Sequence, residues 1–161
     1  MVYSRVSATR TIYTIGHSNR TIEEFLRILR RYSIVLIIDV RRWPTSRRVP
    51  WFRREILEQT LREHGIGYAW LGELLGGYRP GGYENYMKTP EYAKGIEQLV
   101  QLVNSVQDGY PAIMCRERLW FKCHRRYIAD TLTELGFEVI HIIDEDRTYR
   151  HRKRSGVGQL L

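Results

Sequence analysis

The sequence predicts an α/β protein: a single three-layer domain with a mostly parallel five-stranded sheet and helices on both faces. Short apolar runs alternate along the chain with amphipathic stretches of about 10 to 15 residues, which is typical of repeated strand–helix–strand units. Residues 33–40 (SIVLIIDV) are continuously apolar and rich in β-branched side chains, as in a strand buried on both faces. The length of 161 residues suits one domain with its own core.

Five segments are predicted to be strands because apolar, β-branched and aromatic residues predominate in them. These strands are residues 11–17, 33–40, 67–74, 110–115 and 137–143.

Four segments have the apolar spacing of amphipathic helices. Thr21 and Glu24 form a capping box at the start of the first helix. Gly65 terminates the second, and Thr89 followed by Pro90 starts the third. The predicted helices are residues 21–32, 52–65, 89–106 and 123–136.

Residues 1–146 are therefore predicted to form the domain, with a Gly/Tyr-rich loop at 76–89. Residues 147–161 are polar and basic, and we expect a flexible tail there. No apolar run approaches the roughly 18 residues of a membrane span, and the first residues lack the apolar core of a signal peptide. We expect a cytoplasmic protein without a membrane partner, in a compartment where a structural disulfide is not the default.

The formal net charge is +8, and only four of the 26 basic residues are lysines. Arginine binds phosphate through paired hydrogen bonds and stacks on flat rings, which favours a polyanionic partner. An arginine-rich surface is also found in some thermophile proteins, and this alternative stays open.

The carboxyl ends of the predicted strands carry polar or Gly-rich sequences. In open α/β sheets the ligand crevice lies at these ends, so one site built from four loops is expected. The loops are residues 16–20 (GHSNR), 39–44 (DVRRWP), 71–77 (LGELLGG) and 115–118 (CRER).

The segment 41–54 (RRWPTSRRVPWFRR) combines six arginines with three aromatic residues and contains no acid. Cations for phosphate and rings for base stacking are typical of a nucleic-acid-binding loop. The alternative is a solvated loop whose aromatic residues cover the core. The candidate substrate-binding residues of this segment are Arg41, Arg42, Trp43, Arg47, Arg48 and Trp51.

Three carboxylates, Asp39, Glu73 and Glu117, are expected near the crevice. A carboxylate in a cleft can orient or deprotonate a water molecule, and at least one of the three is predicted to be catalytic. The alternative for each is an ion pair with an arginine, which for Asp39 is Arg41.

His17 follows the first strand and precedes Ser18 and Asn19. Short polar side chains suit the turn before a helix, and both are candidate substrate-binding residues. His17 either caps that turn or acts as an acid–base group near neutral pH.

The two cysteines, Cys115 and Cys123, lie in residues 112–126 (AIMCRERLWFKCHRR). With His124 they offer three metal ligands, but the spacing matches no common zinc site, and no metal is predicted. Cys123 lies at the N-terminus of the predicted fourth helix, close to Lys122, Arg125 and Arg126, a setting that stabilises a thiolate nucleophile. A disulfide, a thiol pair that shapes the loop, and two inert buried thiols are the alternatives. Trp120 and Phe121 stand where a phosphatase or sulfurtransferase loop needs an arginine.

Several of these motifs resemble the domain of unknown function 488 family in sequence and in order. They are TIGHSNRTIEEFLRIL, IDVRRWPTSRR, LGELLGG, YENYMKTPEY and IMCRERLWFKCHRRYIAD, within residues 11–143. The family pairs a cysteine and a glutamate after a strand with a Cys-His-Arg at the next helix. That pattern matches Cys115, Glu117, Cys123, His124 and Arg125.

Some archaeal members of this family look like DNA glycosylases that act on damaged or deaminated purines and need both cysteines. The resemblance therefore implies a DNA repair enzyme that binds double-stranded DNA and uses no cofactor. A glycosylase holds a flipped base between flat side chains, for which Trp43, Trp51, Trp120 and Tyr83 are candidates. The alternatives are a non-catalytic nucleic-acid-binding domain and a cysteine-dependent enzyme that acts on a small anionic metabolite.

Overall fold

The computed structural model describes residues 10–152, which form one six-stranded sheet with helices on both faces. The predicted fold class is confirmed, with one strand more than expected. The strands are β1 Thr11–Gly16, β2 Ile34–Asp39, β3 Gly67–Trp70, β4 Tyr110–Cys115, β5 Glu138–Asp144 and β6 Arg147–Arg150. Their order across the sheet is β3-β2-β4-β1-β5-β6. The first five are parallel, and β6 runs antiparallel to β5.

Six helices connect these strands: α1 Ile22–Arg31, α2 Arg54–Glu63, α3 Gly72–Leu75, α4 Tyr83–Tyr86, α5 Pro90–Ser105 and α6 Arg125–Glu134. Two short 3-10 helices occupy Pro50–Phe52 and Trp120–Lys122. The predicted cap at Thr21 is present, since its hydroxyl accepts a hydrogen bond from the Glu24 N–H. Thr89 caps α5 in the same way. None of the helices within residues 10–152 is long and apolar enough to cross a membrane.

Each face of the sheet has its own apolar core. On one face Phe25 and Leu29 of α1 and Leu57 of α2 pack against β-strand residues. On the other face Leu99 of α5 and Ile128 of α6 do the same. All five side chains are fully buried, so the sheet is the middle layer of the predicted three.

Three local predictions are wrong. Residues Arg147–Arg150 of the expected flexible tail form β6, an edge strand that hydrogen-bonds to β5; residues 153–161 of that tail lie outside the described part. The third strand ends at Trp70 rather than at residue 74, because α3 begins at Gly72. The loop at 76–89 contains the helical turn α4.

The sheet has a topological switch between its neighbouring strands β1 and β4. From β1 the chain passes through α1 to β2, and from β4 it passes through α6 to β5, on the opposite side of β1. The two connections diverge, which leaves a crevice at the carboxyl ends of these strands.

Candidate active site

A cavity of about 560 Å³ opens at this switch point. All four loops that the sequence analysis assigns to the crevice contribute to its lining. Nine of the predicted site residues line it: His17, Arg41, Arg42, Trp43, Tyr83, Cys115, Glu117, Cys123 and His124.

The floor of the cavity is formed where the loops after β1 and β4 touch. The His17 N–H donates to the Cys115 carbonyl over 2.9 Å, and the Ser18 N–H donates to the Arg116 carbonyl over 2.9 Å. A Cβ atom at Gly16 would overlap the backbone of Glu117. The first loop therefore needs glycine at position 16 to bring His17 beside the thiols.

Asp39 is fully buried beneath the cavity and does not line it. Its carboxylate accepts hydrogen bonds from the Arg41 guanidinium at 2.7 and 2.9 Å and from the Tyr68 hydroxyl. Burial, and then the Asp39 carboxylate, raise the pKa of Tyr68. The structure thus shows Asp39 in an ion pair with Arg41, which is the alternative to a catalytic role. Asp39 supports the loop and does not face a ligand.

His17 is held as a neutral ring. Its Nδ1–H donates to the Ser18 carbonyl over 2.8 Å, and its Nε2 lies 3.3 Å from a nitrogen of Arg41, which can only donate. Burial, together with the Arg41 cation, lowers the pKa of His17 to about 4. Phe52 stacks on the ring at 4.5 Å. Both ring nitrogens are occupied, so His17 is a wall of the cavity.

His124 has one ring nitrogen that remains open. Its Nε2–H donates to the Val40 carbonyl over 3.1 Å, which leaves Nδ1 as an acceptor. Burial lowers the pKa of His124 to about 4, so that acceptor is not protonated near neutral pH. Gly77 lies beside Nδ1, where a Cβ atom would approach to 3.0 Å.

The two cysteines are free thiols whose sulfur atoms lie 3.0 Å apart. Cys115 is buried at the end of β4, whereas Cys123 is half-buried in front of α6. The helix begins at Arg125, two residues later than predicted, and the Arg125 N–H donates to the Cys123 Sγ over 3.3 Å.

The Arg125 side chain is buried behind the cavity rather than in its lining. It donates to the Glu117 carbonyl over 2.9 Å and to the Thr14 hydroxyl over 3.2 Å. A chain of hydrogen bonds continues from Thr14 through His141 and His151 to Asp130, at 2.6, 2.9 and 2.7 Å. Both ring nitrogens of each histidine therefore have a hydrogen-bond partner.

Of the three candidate carboxylates, only Glu117 reaches the cavity. Its side chain is exposed and, within residues 10–152, has no hydrogen-bond or ion-pair partner. Glu73 is also exposed but lies on α3, outside the lining. The expectation of three carboxylates at one crevice is therefore wrong for Asp39 and Glu73.

The mouth of the cavity carries two exposed rings side by side. The exposed fraction is 60% for Trp43 and 82% for Tyr78, and their centroids are 5.6 Å apart. The Arg42 guanidinium lies 5.1 Å from the Trp43 ring and donates to the Tyr78 carbonyl over 2.7 Å. Deeper in the cavity, Tyr83 and Tyr127 stack at 5.6 Å.

The structure does not bring the other candidate binding residues into the cavity lining. The Trp51 indole donates to the Arg20 carbonyl over 2.9 Å, so it anchors its own loop. Trp120 stacks on His141 at 4.5 Å and on Tyr149 at 5.5 Å. Neither ring is free to stack on a base there. Ser18 and Asn19 lie in the loop after β1, and Arg47 and Arg48 are exposed on the segment 41–54; all four lie outside the lining.

Six lining residues were not among the predicted site residues: Thr45, Gly77, Tyr78, Arg116, Lys122 and Tyr127. Four of them, Thr45, Gly77, Tyr78 and Arg116, lie inside or next to the four quoted loops, and proximity to those loops is the signal that could have found them. Lys122 lies in the 3-10 helix before Cys123 and Tyr127 in the first turn of α6, and neither is next to one of the four loops.

Within residues 10–152 no cluster of three or more His, Cys, Asp or Glu side chains is arranged to hold a metal ion. A family model described as the domain of unknown function DUF488 matches residues 21–132. Comparison with curated proteins and with solved structures gave no significant match.

Proposed function

The chain belongs to the domain of unknown function 488 family, and we propose that it is a DNA-binding repair enzyme. The proposed activity is that of a monofunctional DNA glycosylase, which excises damaged or deaminated purine bases. One observation carries the proposal: the lining of a single cavity combines cations, stacking rings and Glu117, whose carboxylate has no hydrogen-bond or ion-pair partner within residues 10–152.

The cavity suits a flipped purine nucleotide. Its volume of about 560 Å³ lies in the usual range of small-molecule sites. The stacked pair Tyr83 and Tyr127 offers a flat inner wall, and Trp43 with Tyr78 offers an outer one. An enzyme that acts on a base must hold it outside the helical stack, between aromatic or apolar side chains.

Basic residues supply the contacts to the phosphate backbone. Arg42, Arg116 and Lys122 line the cavity, and the exposed Arg47 and Arg48 extend the same loop outwards. Neutralisation of phosphates by arginine and lysine dominates non-specific DNA affinity. The net charge of +8 favours a double-stranded DNA partner on the same grounds.

The hydrolysis assigns one role to Glu117. Its carboxylate orients a water molecule towards C1′ of the sugar and accepts a proton as the C1′–O bond forms. The N-glycosidic bond breaks, and the base departs with the bonding electron pair and takes a proton from solvent, to which Glu117 later returns its own. His124 Nδ1 is an open acceptor that can hold an N–H of the base. Asp39 positions the Arg41 loop, and the chemistry requires no cofactor.

Base release from a panel of duplexes tests this function. Purified protein is incubated with duplexes that contain hypoxanthine, an alkylated purine or uracil, and alkali then cleaves the abasic product. We expect release from at least one purine lesion and none from undamaged DNA. Binding to DNA without release from any lesion would leave the non-catalytic nucleic-acid-binding domain as the better description.

A second candidate is a cysteine-dependent enzyme that acts on a small anionic metabolite. It is favoured by the half-buried Cys123, which shares the cavity with the cations Arg116 and Lys122. The two candidates differ in the group that attacks. Replacement of Cys123 by serine would abolish thiol chemistry, whereas water activation by Glu117 needs no thiolate.

A further inference from the structure

The thiols of Cys115 and Cys123 lie close enough to react with each other. A disulfide requires its sulfur atoms to approach to about 2.05 Å, and those of Cys115 and Cys123 already lie 3.0 Å apart as free thiols. A relative movement of about 1 Å would join them. Cys123 belongs to the loop in front of α6, whereas Cys115 is fixed at the end of a central strand.

The two thiols are chemically unequal. The hydrogen bond with Cys115, and then the cation and N–H of Arg125, lower the pKa of Cys123 to about 7 despite its burial. Burial raises the pKa of Cys115 well above its ordinary value. Of the two thiols in the cavity lining, Cys123 thus loses its proton more readily, whereas Cys115 behind it keeps its proton.

The surroundings favour reaction at Cys123. Lys122 and Arg116 are exposed cations in the same cavity lining, and the neighbouring His17 and His124 are neutral. Cysteines that oxidise readily have low pKa values, are accessible to solvent and often lie next to a second, resolving cysteine.

We propose that Cys123 is a peroxide-reactive thiolate and that Cys115 resolves its oxidised form as an intramolecular disulfide. The Cys123 sulfur attacks one oxygen of a hydroperoxide. The O–O bond breaks, the leaving alkoxide takes a proton to become an alcohol, and Cys123 becomes a sulfenic acid.

In the second step the Cys115 sulfur attacks the Cys123 sulfur. The S–O bond breaks, and the departing hydroxide takes the Cys115 proton and leaves as water. Two thiols and one hydroperoxide thus yield one disulfide, one alcohol and one water. An external dithiol restores the pair by thiol–disulfide exchange. This activity does not depend on base excision, and the two are tested by separate experiments.

Hydrogen peroxide as the probe, followed by intact mass and peptide mapping, tests the proposal on the full chain. We expect the loss of two hydrogens within one monomer, a disulfide between Cys115 and Cys123, and recovery of both thiols with dithiothreitol. A disulfide between two chains, or two unchanged thiols, would overturn it.

The order of reaction is tested on the unmodified protein with limiting alkylating reagent. We expect Cys123 to be labelled at least about tenfold faster than Cys115, and at nearly equal rates in denaturant, where the folded environment is lost. Equal rates in the native protein would contradict the assignment, and this measurement does not depend on any variant folding.

Single variants identify the intermediate. In Cys115→Ser a sulfenic acid should persist at Cys123 and be trapped by dimedone. In the matched Cys123→Ser, peroxide should leave Cys115 unmodified. Trapping at Cys115 in the second variant would reverse the proposed roles.

Discussion

Two kinds of polar cluster surround the crevice, and they differ in how completely their members are hydrogen-bonded. Beneath and behind it lie closed networks, in which Asp39 is held by Arg41 and Tyr68, and His141 by Thr14 and His151. The cavity wall, in contrast, offers two groups that have no hydrogen-bond partner within residues 10–152: the Glu117 carboxylate and His124 Nδ1. Closed networks fix the shape of the site, and open groups remain available to a ligand.

The largest expected effect comes from breaking a closed network. Asp39→Ala leaves the buried Arg41 guanidinium without its counter-ion, and the free energy of unfolding should fall by about 3–5 kcal/mol. Urea denaturation of the variant and the unmodified protein measures the change. As a matched control, Glu58→Ala removes an exposed ion pair with Arg62 and should cost at most about 1 kcal/mol. Equal losses of stability in the two variants would contradict the stabilising role of the buried Asp39–Arg41 ion pair.

A second prediction concerns pH. Burial lowers the pKa values of His17 and His124 to about 4 and that of His141 to about 2, below the ordinary value of about 6.5. Below about pH 6.5 these histidines bind protons in the unfolded chain but remain unprotonated in the folded chain. Stability should therefore be complete above about pH 6.5 and fall as the pH decreases towards 4.

The slope should reach up to about 1.4 kcal/mol per pH unit for each of these histidines. Denaturation curves recorded across this window measure it. A free energy of unfolding that stays constant down to pH 4 would contradict the lowered pKa values of these three buried histidines.

A third, smaller effect, on DNA affinity, distinguishes Trp43 from Trp120. Trp43→Ala removes an exposed ring at the mouth of the cavity and should weaken binding to a lesion-bearing duplex about tenfold, since stacking contributes about 1–3 kcal/mol per base. Its stability should change little. Trp120→Phe alters a ring that is already stacked on His141 and should leave the affinity unchanged. Fluorescence anisotropy measures both; equal losses would contradict the distinction.

The sequence predicted the parallel strands and long helices because their apolar periodicity is strong. It did not predict β6, because Arg147–Arg150 is exposed along its whole length and edge pairing leaves no apolar pattern. The convergence of the four loops on one crevice could be predicted, because the carboxyl ends of parallel strands lie at the same edge of the sheet.

The roles of individual side chains at the site depended on contacts that sequence spacing does not contain. Asp39 lies at the carboxyl end of a predicted strand and Glu117 two residues past the end of another, yet Tyr68 and Arg41 enclose only Asp39. From the sequence, Trp120 likewise is a candidate to stack on a base. In the structure its ring stacks on His141, which lies 21 positions away along the sequence.

In the proposed mechanism the Glu117 carboxylate activates the attacking water. Single-turnover base release by Glu117→Gln, compared with the unmodified protein on the same duplex, measures how far the reaction depends on that carboxylate. We predict a loss of at least about 100-fold, with the free energy of unfolding unchanged within about 0.5 kcal/mol. Release at the rate of the unmodified protein would contradict the assignment of Glu117.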